Sequence, residues 1–193
     1  MDHYMEIRVL PDPEFSEEML MAALLAKLHR ALGARGKGDI GVSFPLHGVK
    51  LGDVLRLHGV AQALDELEAL LWRHGLKDYC ECTEIRAIPS VTDWRTVSRV
   101  QVKSSPERLL RRSVNKGWLT QEEALERALT MTQARTDLPW LNLRSLSNGE
   151  SFRMFIRHGE LLSAPVEGCF SSYGLSSSAT IPWFKIATQP RPF

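Results

Sequence analysis

The stretch His3-Tyr4-Met5-Glu6-Ile7-Arg8-Val9-Leu10, closed by Pro11 and Pro13, decides the reading of the fold. Tyr4, Glu6 and Arg8 alternate with Met5, Ile7 and Val9, the period of a strand with one face buried. Ser16 then opens a helix with Glu17 and Glu18 in its first turn, and Gly33 is the expected stop after Leu32. Leu20, Leu24 and Leu28, with Met21 and Leu25, form its apolar stripe. His29 falls at the stripe's border, near 180° from Leu20 at about 100° per residue, partly covered and still reachable.

Working outward, Ile40–Phe44 and Val54–Val60 read as two further strands. Gln62–Trp72 carries Leu64, Leu67 and Leu71 at helical spacing, and Tyr79–Ile88 reads as a fourth strand. The order β-α-β-β-α-β is the ferredoxin-like pattern, so the chain is expected to be α+β with such a domain over residues 1–92. That pattern serves RNA binders and unrelated proteins alike, and by itself carries little function. Pro89–Asp93 reads as a joint. A smaller α+β domain is expected over 93–184, with short strands at Leu138–Leu143, Ser151–Ile156 and Phe170–Leu175. Residues 185–193, with Pro190 and Pro192, read as a mobile tail.

The second half concentrates charge. Arg99 to Lys116 holds six basic residues against Glu107 alone, in a chain of net charge +1. Clustered Lys and Arg repel one another until a polyanion releases their counterions, which points to nucleic acid. Ser105, Pro106 and Glu107 are a cap, a first helical residue and a dipole complement, and Gly117 is a stop. On that helix Arg108, Arg111, Arg112, Asn115 and Lys116 share roughly 140° of arc, with Leu110 and Val114 opposite. Arg99 and Gln101 precede it on one face of a strand. Arg pairs with guanine and Gln with adenine through two hydrogen bonds, so both are candidate base readers. Thr120-Gln-Glu-Glu123 is a capping box that opens another helix, running to about Ala134.

Several classes are excluded. No run of about eighteen apolar residues exists, and the N-terminus lacks a basic and apolar leader pattern, so a cytoplasmic protein without membrane contact is expected. The three cysteines suit a reducing compartment, and Cys80-x-Cys82 lacks zinc-site spacing, which leaves it a structural role. No clustered carboxylates, HxxxH or CxxC pair suggests a metal, and no Gly-x-Ser-x-Gly elbow suggests a serine hydrolase. The aromatic strand signature of single-strand RNA-recognition domains is absent. Trp72, Trp94, Trp118, Trp140 and Trp183 read as packing residues.

A set of ordered motifs carries a likeness. Met1-Asp-His-Tyr, Lys27-Leu-His29, Ile40-Gly-Val-Ser-Phe-Pro45, Val97-Ser-Arg-Val-Gln101, Leu143-Arg-Ser145, Phe152-Arg-Met-Phe-Ile-Arg-His-Gly159, Tyr173-Gly-Leu-Ser176 and Pro182-Trp-Phe184 resemble the type I-F CRISPR-associated endoribonuclease family, the Csy-type repeat-processing enzymes. The likeness runs from residue 1 to 184. It implies an enzyme that binds a CRISPR repeat hairpin in pre-crRNA and cuts at the base of its stem without metal or cofactor. The enzyme then stays on the product, among the other subunits of a type I-F effector complex.

The resemblance also implies roles for particular residues. His29 matches the catalytic histidine, Tyr173 the tyrosine that orients it, and Ser145 the serine that holds the ribose, with Ser147 nearby. Arg99 and Gln101 match the readers at the foot of the stem, Phe152 the aromatic on the terminal base pair, and Arg111 and Arg112 lie on the major-groove helix. Asn115 and Lys116 stand where the family pattern has arginines, which implies a weaker or differently registered grip on upper-stem phosphates. From residue type alone His58 and His158 are also eligible as catalytic histidines, Ser145 is a loop serine and Tyr173 a strand aromatic. A non-catalytic hairpin-binding subunit, as in a CRISPR-associated transposition system, and a protein-interaction module docking on an acidic partner are the rival classes.

Overall fold

Strand β1 (His3–Val9) lies inside the first sheet: Met5, Ile7 and Val9 are sealed and Glu6 and Arg8 partly exposed as the alternation predicts, but Tyr4 on the polar face is buried too, edge-on to Phe184. The computed structural model describes residues 1–90, 93–101, 106–130, 136–145 and 148–186. On one side β1 pairs antiparallel with β3 (Val54–Gly59), which pairs with β2 (Gly41–Ser43). On the other it pairs with β4 (Cys80–Cys82) and β5 (Arg86–Ala87), giving the order β2-β3-β1-β4. The expected fourth strand over Tyr79–Ile88 is therefore two short pieces. The break falls where the Glu6 N–H donates to the Thr83 hydroxyl at 2.9 Å, a side chain standing in for a ladder carbonyl.

Helix α1 (Glu17–Arg35) begins as expected, with Ser16 Oγ accepting from the Met19 N–H at 3.3 Å. It does not stop at Gly33. Gly33 stays inside the helix, and the chain leaves at Gly36, which takes φ 63° and donates to the Leu32 carbonyl. Seven of its residues, Leu20 to Leu32, are buried; each full apolar side chain contributes at most about 1.5–3 kcal/mol. Helix α2 (Ala61–Ala69) is shorter than the expected Gln62–Trp72, because Leu71 turns to φ 48° and ends it. Trp72 is nevertheless buried, its indole N–H donating to Glu68 at 2.8 Å. The expected structural role of Cys80-x-Cys82 is split: Cys80 is buried and Cys82 faces solvent.

The second sheet has the order β7-β8-β6-β9, all antiparallel: β6 (Asp93–Val100), β7 (Trp140–Arg144), β8 (Ser151–His158) and β9 (Ser176–Trp183). Phe170–Leu175, expected as a strand, is instead a turn, and the strand follows it. Ser171 is the cause: its hydroxyl accepts from the N–H groups of Tyr173 and Leu175, and its own N–H donates to the Leu175 carbonyl.

One core joins the two sheets and α1, with Val97, Leu141, Leu143, Met154 and Ile156 packed among the residues of β1 and α1. At Gly41 a Cβ would meet the Ile181 side chain at 2.4 Å, so only glycine lets β2 approach so closely. Among the described residues four α-helices and two antiparallel sheets make the chain α+β, and the strand-helix-strand opening is compatible with a ferredoxin-like domain.

Two compact units emerge: Met1–Val100 with Leu138–Phe193, and Gln101–Asp137. The second holds α3 (Pro106–Asn115) and α4 (Gln121–Thr130), which pack on one another. Thr120 and Glu123 close the expected capping box, the hydroxyl accepting from the Glu123 N–H at 3.2 Å and the carboxylate from the Thr120 N–H at 2.8 Å. Gly117, at φ 70°, ends α3. Lys103, Ser105, Ser147, the end of the second helix beyond residue 130 and the tail from 187 lie outside the described residues, as do the side chains of Glu107 and Arg108.

Candidate active site

His29 sits on the last turns of α1, half-buried at the rim of the core. Tyr173 lies flat on it, ring centroids 3.8 Å apart and planes within 3° of parallel. The turn after Phe170 brings Tyr173 there. Gly174 takes φ 70° and donates to the Ser171 carbonyl, while its own carbonyl accepts from the Val42 N–H at 2.8 Å. A Cβ on Gly174 would meet Val42 Cγ2 at 2.3 Å, so glycine permits both the turn and the approach to β2. Burial pushes the Tyr173 hydroxyl up, against a smaller opposing pull from Arg99, so it stays protonated at neutral pH. Among the described residues, Nδ1 of His29 is buried without a hydrogen-bond partner.

The His29–Tyr173 pair forms a wall of an open cleft whose other sides include Arg99, Ser145, Glu150 and Phe152. The Arg99 guanidinium lies 5.1 Å from the Phe152 ring centroid. Pairing of Arg99 with Ile156 puts Arg99 and Phe152 on the core-facing side of the second sheet, at the end where the core opens. Ser145 is fixed by a closed turn: its N–H donates to the Glu150 carbonyl at 2.8 Å, and its carbonyl accepts from the Gly149 N–H at 3.0 Å. Arg144 Nε braces the same turn through the Gly149 carbonyl at 3.0 Å. A cation, a hydroxyl, an imidazole and an aromatic plane around one opening suit a nucleotide at a phosphate to be broken.

Five of the sequence-predicted site residues, His29, Arg99, Ser145, Phe152 and Tyr173, thus share this cleft. Six others belong to the second compact unit, Arg108 among them: Gln101 is exposed, and Arg111, Arg112, Asn115 and Lys116 are exposed on α3 opposite the buried Leu110. Lys116 there lies 4.7 Å from the ring centroid of Trp118. Arg108 belongs to α3 by its backbone, and Ser147 is outside the described residues.

The alternative histidines are accounted for elsewhere. His58 is fully buried, its Nε2 2.8 Å from Ser43 Oγ, and burial holds its pKa well below the ordinary value. His158 stacks on His47 with centroids 3.6 Å apart and accepts from the Phe44 N–H at 3.3 Å. Burial first, then His47 and Arg95, lower its pKa to about 3. Sequence reasoning missed Asn148 and Glu150 in the cleft; the turn-forming dipeptide Asn148-Gly149 is the signal that could have found their loop. It also placed Trp118 and Trp140 in the interior, and both are exposed, by 69% and 41%. Among the described residues no three His, Cys, Asp or Glu side chains converge as a ligand cluster, and no helix is long and apolar enough to cross a membrane.

The comparisons agree with the motifs. A family model described as CRISPR-associated protein (Cas_Csy4) matches residues 4–184. A protein of Escherichia coli (strain UTI89 / UPEC), CRISPR-associated endonuclease Cas6/Csy4, is 68% identical over 184 residues, covering 95% of this chain and 100% of the relative. Its namesake from Pseudomonas aeruginosa (strain UCBPP-PA14) is 47% identical over 187 residues, covering 95% of this chain and 100% of its own. A chain with these motifs, this cleft and such relatives along its length belongs to the Cas_Csy4 family of CRISPR-associated proteins.

Proposed function

We propose that this protein is an endoribonuclease that matures CRISPR RNA, cutting the repeat hairpin of pre-crRNA at the foot of its stem and keeping the hairpin product. The observation that carries the reading is the His29–Tyr173 stack at the edge of a cleft shared with Arg99, Ser145 and Phe152. The relatives' printed name, CRISPR-associated endonuclease, supports it. RNA supplies the nucleophile. The 2′-oxygen bonds to phosphorus as the bond from phosphorus to the 5′-oxygen breaks, leaving a 2′,3′-cyclic phosphate and a 5′-hydroxyl. An imidazole removes the 2′ proton or supplies one to the leaving oxygen, and in this reading His29 is that group. Ser145, braced by its turn, holds the ribose, and such positioning lowers the barrier by several kcal/mol. Arg99 stabilises the charged transition state or reads the base beside it.

Phe152 stacks beneath the terminal base pair, and the exposed cations of α3 grip the stem phosphates. In this reading residues 1–92 supply the imidazole, residues 93–184 most RNA contacts, and the protein works in the cytoplasm with other subunits of a type I-F effector complex. The test uses hairpin RNA and the same RNA with a 2′-deoxy substitution at the cleavage nucleotide. The enzyme binds both and cuts only the first, with or without EDTA, and His29→Ala binds both and cuts neither. A wild-type protein that binds both and cuts neither is a hairpin-binding subunit, and one that binds neither is a protein-interaction module; either result overturns the proposal.

A further inference from the structure

The His29–Tyr173 pair has two sides. One faces the cleft of Arg99, Ser145 and Phe152; the other faces a groove between α1 and β7, bordered by Ala22, Ala26, Arg30, Asn142 and Arg144. Ala22 and Asn142 also border its continuation, which reaches Trp140. A phosphodiester positioned at His29 has chain on both sides of it. If the stem rests on Arg99 and Phe152, the strand beyond the cut leaves past the imidazole into this groove.

We infer that the α1–β7 groove is a subsite for the single-stranded RNA on the far side of the scissile phosphate, with Trp140 as its distal stacking platform; this rests on the function proposed above. The chemistry of the groove fits one strand and not a duplex. Alanines on α1 leave room, while Arg30 and Arg144, both exposed, bring cations to its near end. Arg153 lies 4.4 Å from the ring centroid of the half-exposed Trp140, a cation beside an aromatic plane of the kind on which bases stack. β7 is moreover an edge strand. The Ile156 N–H donates to the Pro139 carbonyl, and antiparallel alternation then turns the main-chain N–H and C=O groups of Trp140, Asn142 and Arg144 away from β8. These groups give a strand of RNA fixed donors and acceptors over about 14 Å. Around Trp140 the lining is mixed, the exposed Met19 and Val49 standing beside the Glu18–Lys50 ion pair.

The test takes the hairpin sequence from RNA that copurifies with the full chain. It is resynthesised either ending one nucleotide past the cut or carrying an oligouridine tail there, with a 2′-deoxy cleavage nucleotide in both. We expect the tail to tighten binding to the wild-type protein about tenfold, and Trp140→Ala and Arg30→Gln each to remove most of that gain. A 4-thiouridine in the tail should crosslink to α1 or β7, which keeps the inference testable even if a variant fails to fold. A tail that adds no affinity, or whose gain survives both substitutions while crosslinks map elsewhere, overturns it. So does loss of a copurifying protein on Trp140→Ala with RNA affinity unchanged, which marks the groove as a protein surface. Failure of the wild-type protein to bind either hairpin would instead overturn the proposed function.

Discussion

The guanidinium of Arg56, wholly buried on β3, lies 3.9 Å from the ring centroid of Phe184 and donates to that residue's carbonyl oxygen at 2.8 Å. Its other donors meet Glu6 on β1 at 2.8 and 2.5 Å. One side chain thus ties the middle of the first sheet to the chain just past β9. Burial pulls the Arg56 pKa down and Glu6 holds it up, and the pairing keeps the site charged. Removing one partner of a buried pair leaves the other uncompensated, so Arg56→Ala should cost about 3–5 kcal/mol. Urea unfolding measures it; a loss under about 1 kcal/mol would show that Glu6 finds water instead.

Tyr173 meets His29 with its ring face. Tyr173→Ala should therefore lower kcat on the order of a hundredfold by freeing the imidazole, with KM little changed. Tyr173→Phe keeps the stack and should stay close to wild type. Equal damage from the two substitutions in single-turnover cleavage would mean that the hydroxyl itself takes part.

The buried histidines should make stability fall in acid. His158, held neutral with a pKa of about 3, sits among His47, Arg95 and Trp183, and its Nε2 accepts from Phe44. A folded pKa below the unfolded value of about 6.5 means that the unfolded chain binds the extra proton. The stabilisation is therefore complete above pH 6.5 and drains away as pH falls towards 3. Between pH 7 and pH 5 His158 accounts for about 2 kcal/mol, and His58 and His47 act in the same direction. His158→Gln should flatten the pH dependence of the urea midpoint over that interval, and an unchanged slope would show that His158 is not responsible.

Arg99→Ala should weaken hairpin binding by about 1–3 kcal/mol if the guanidinium pairs with a guanine. The loss should be confined to hairpins with that base at the foot of the stem. Equal loss for every stem sequence, in a filter-binding series, would identify a phosphate contact.

Legibility followed the reach of each pattern. β1 and α1 were readable because a single buried face shows itself within a few residues, as Met5, Ile7 and Val9 or Leu20, Leu24 and Leu28 do. β9 was not, since its opening run Ser176-Ser-Ser-Ala-Thr180 is small and polar. Ser176 and Thr180 are buried only because they accept from the Ala179 and Val166 N–H groups. The arc of cations on α3 was visible from helical periodicity. The meeting of His29 with Tyr173 was not, because a stack between the two halves of the sequence leaves no local trace, and only the family likeness pointed to it. Trp140 was misread because a tryptophan's type says core, whereas an edge strand leaves its outward residues uncovered.

The unit Gln101–Asp137 departs from the end of β6 and returns at the start of β7, and Val100 and Trp140 are both cross-strand partners of the same residue, Phe155. β6 and β7 flank β8, so the two strands the unit joins lie about 10 Å apart, two strand spacings. Leaving and rejoining one sheet in this way lets the arginine-bearing helices vary in sequence and length without disturbing the strands that pack against α1.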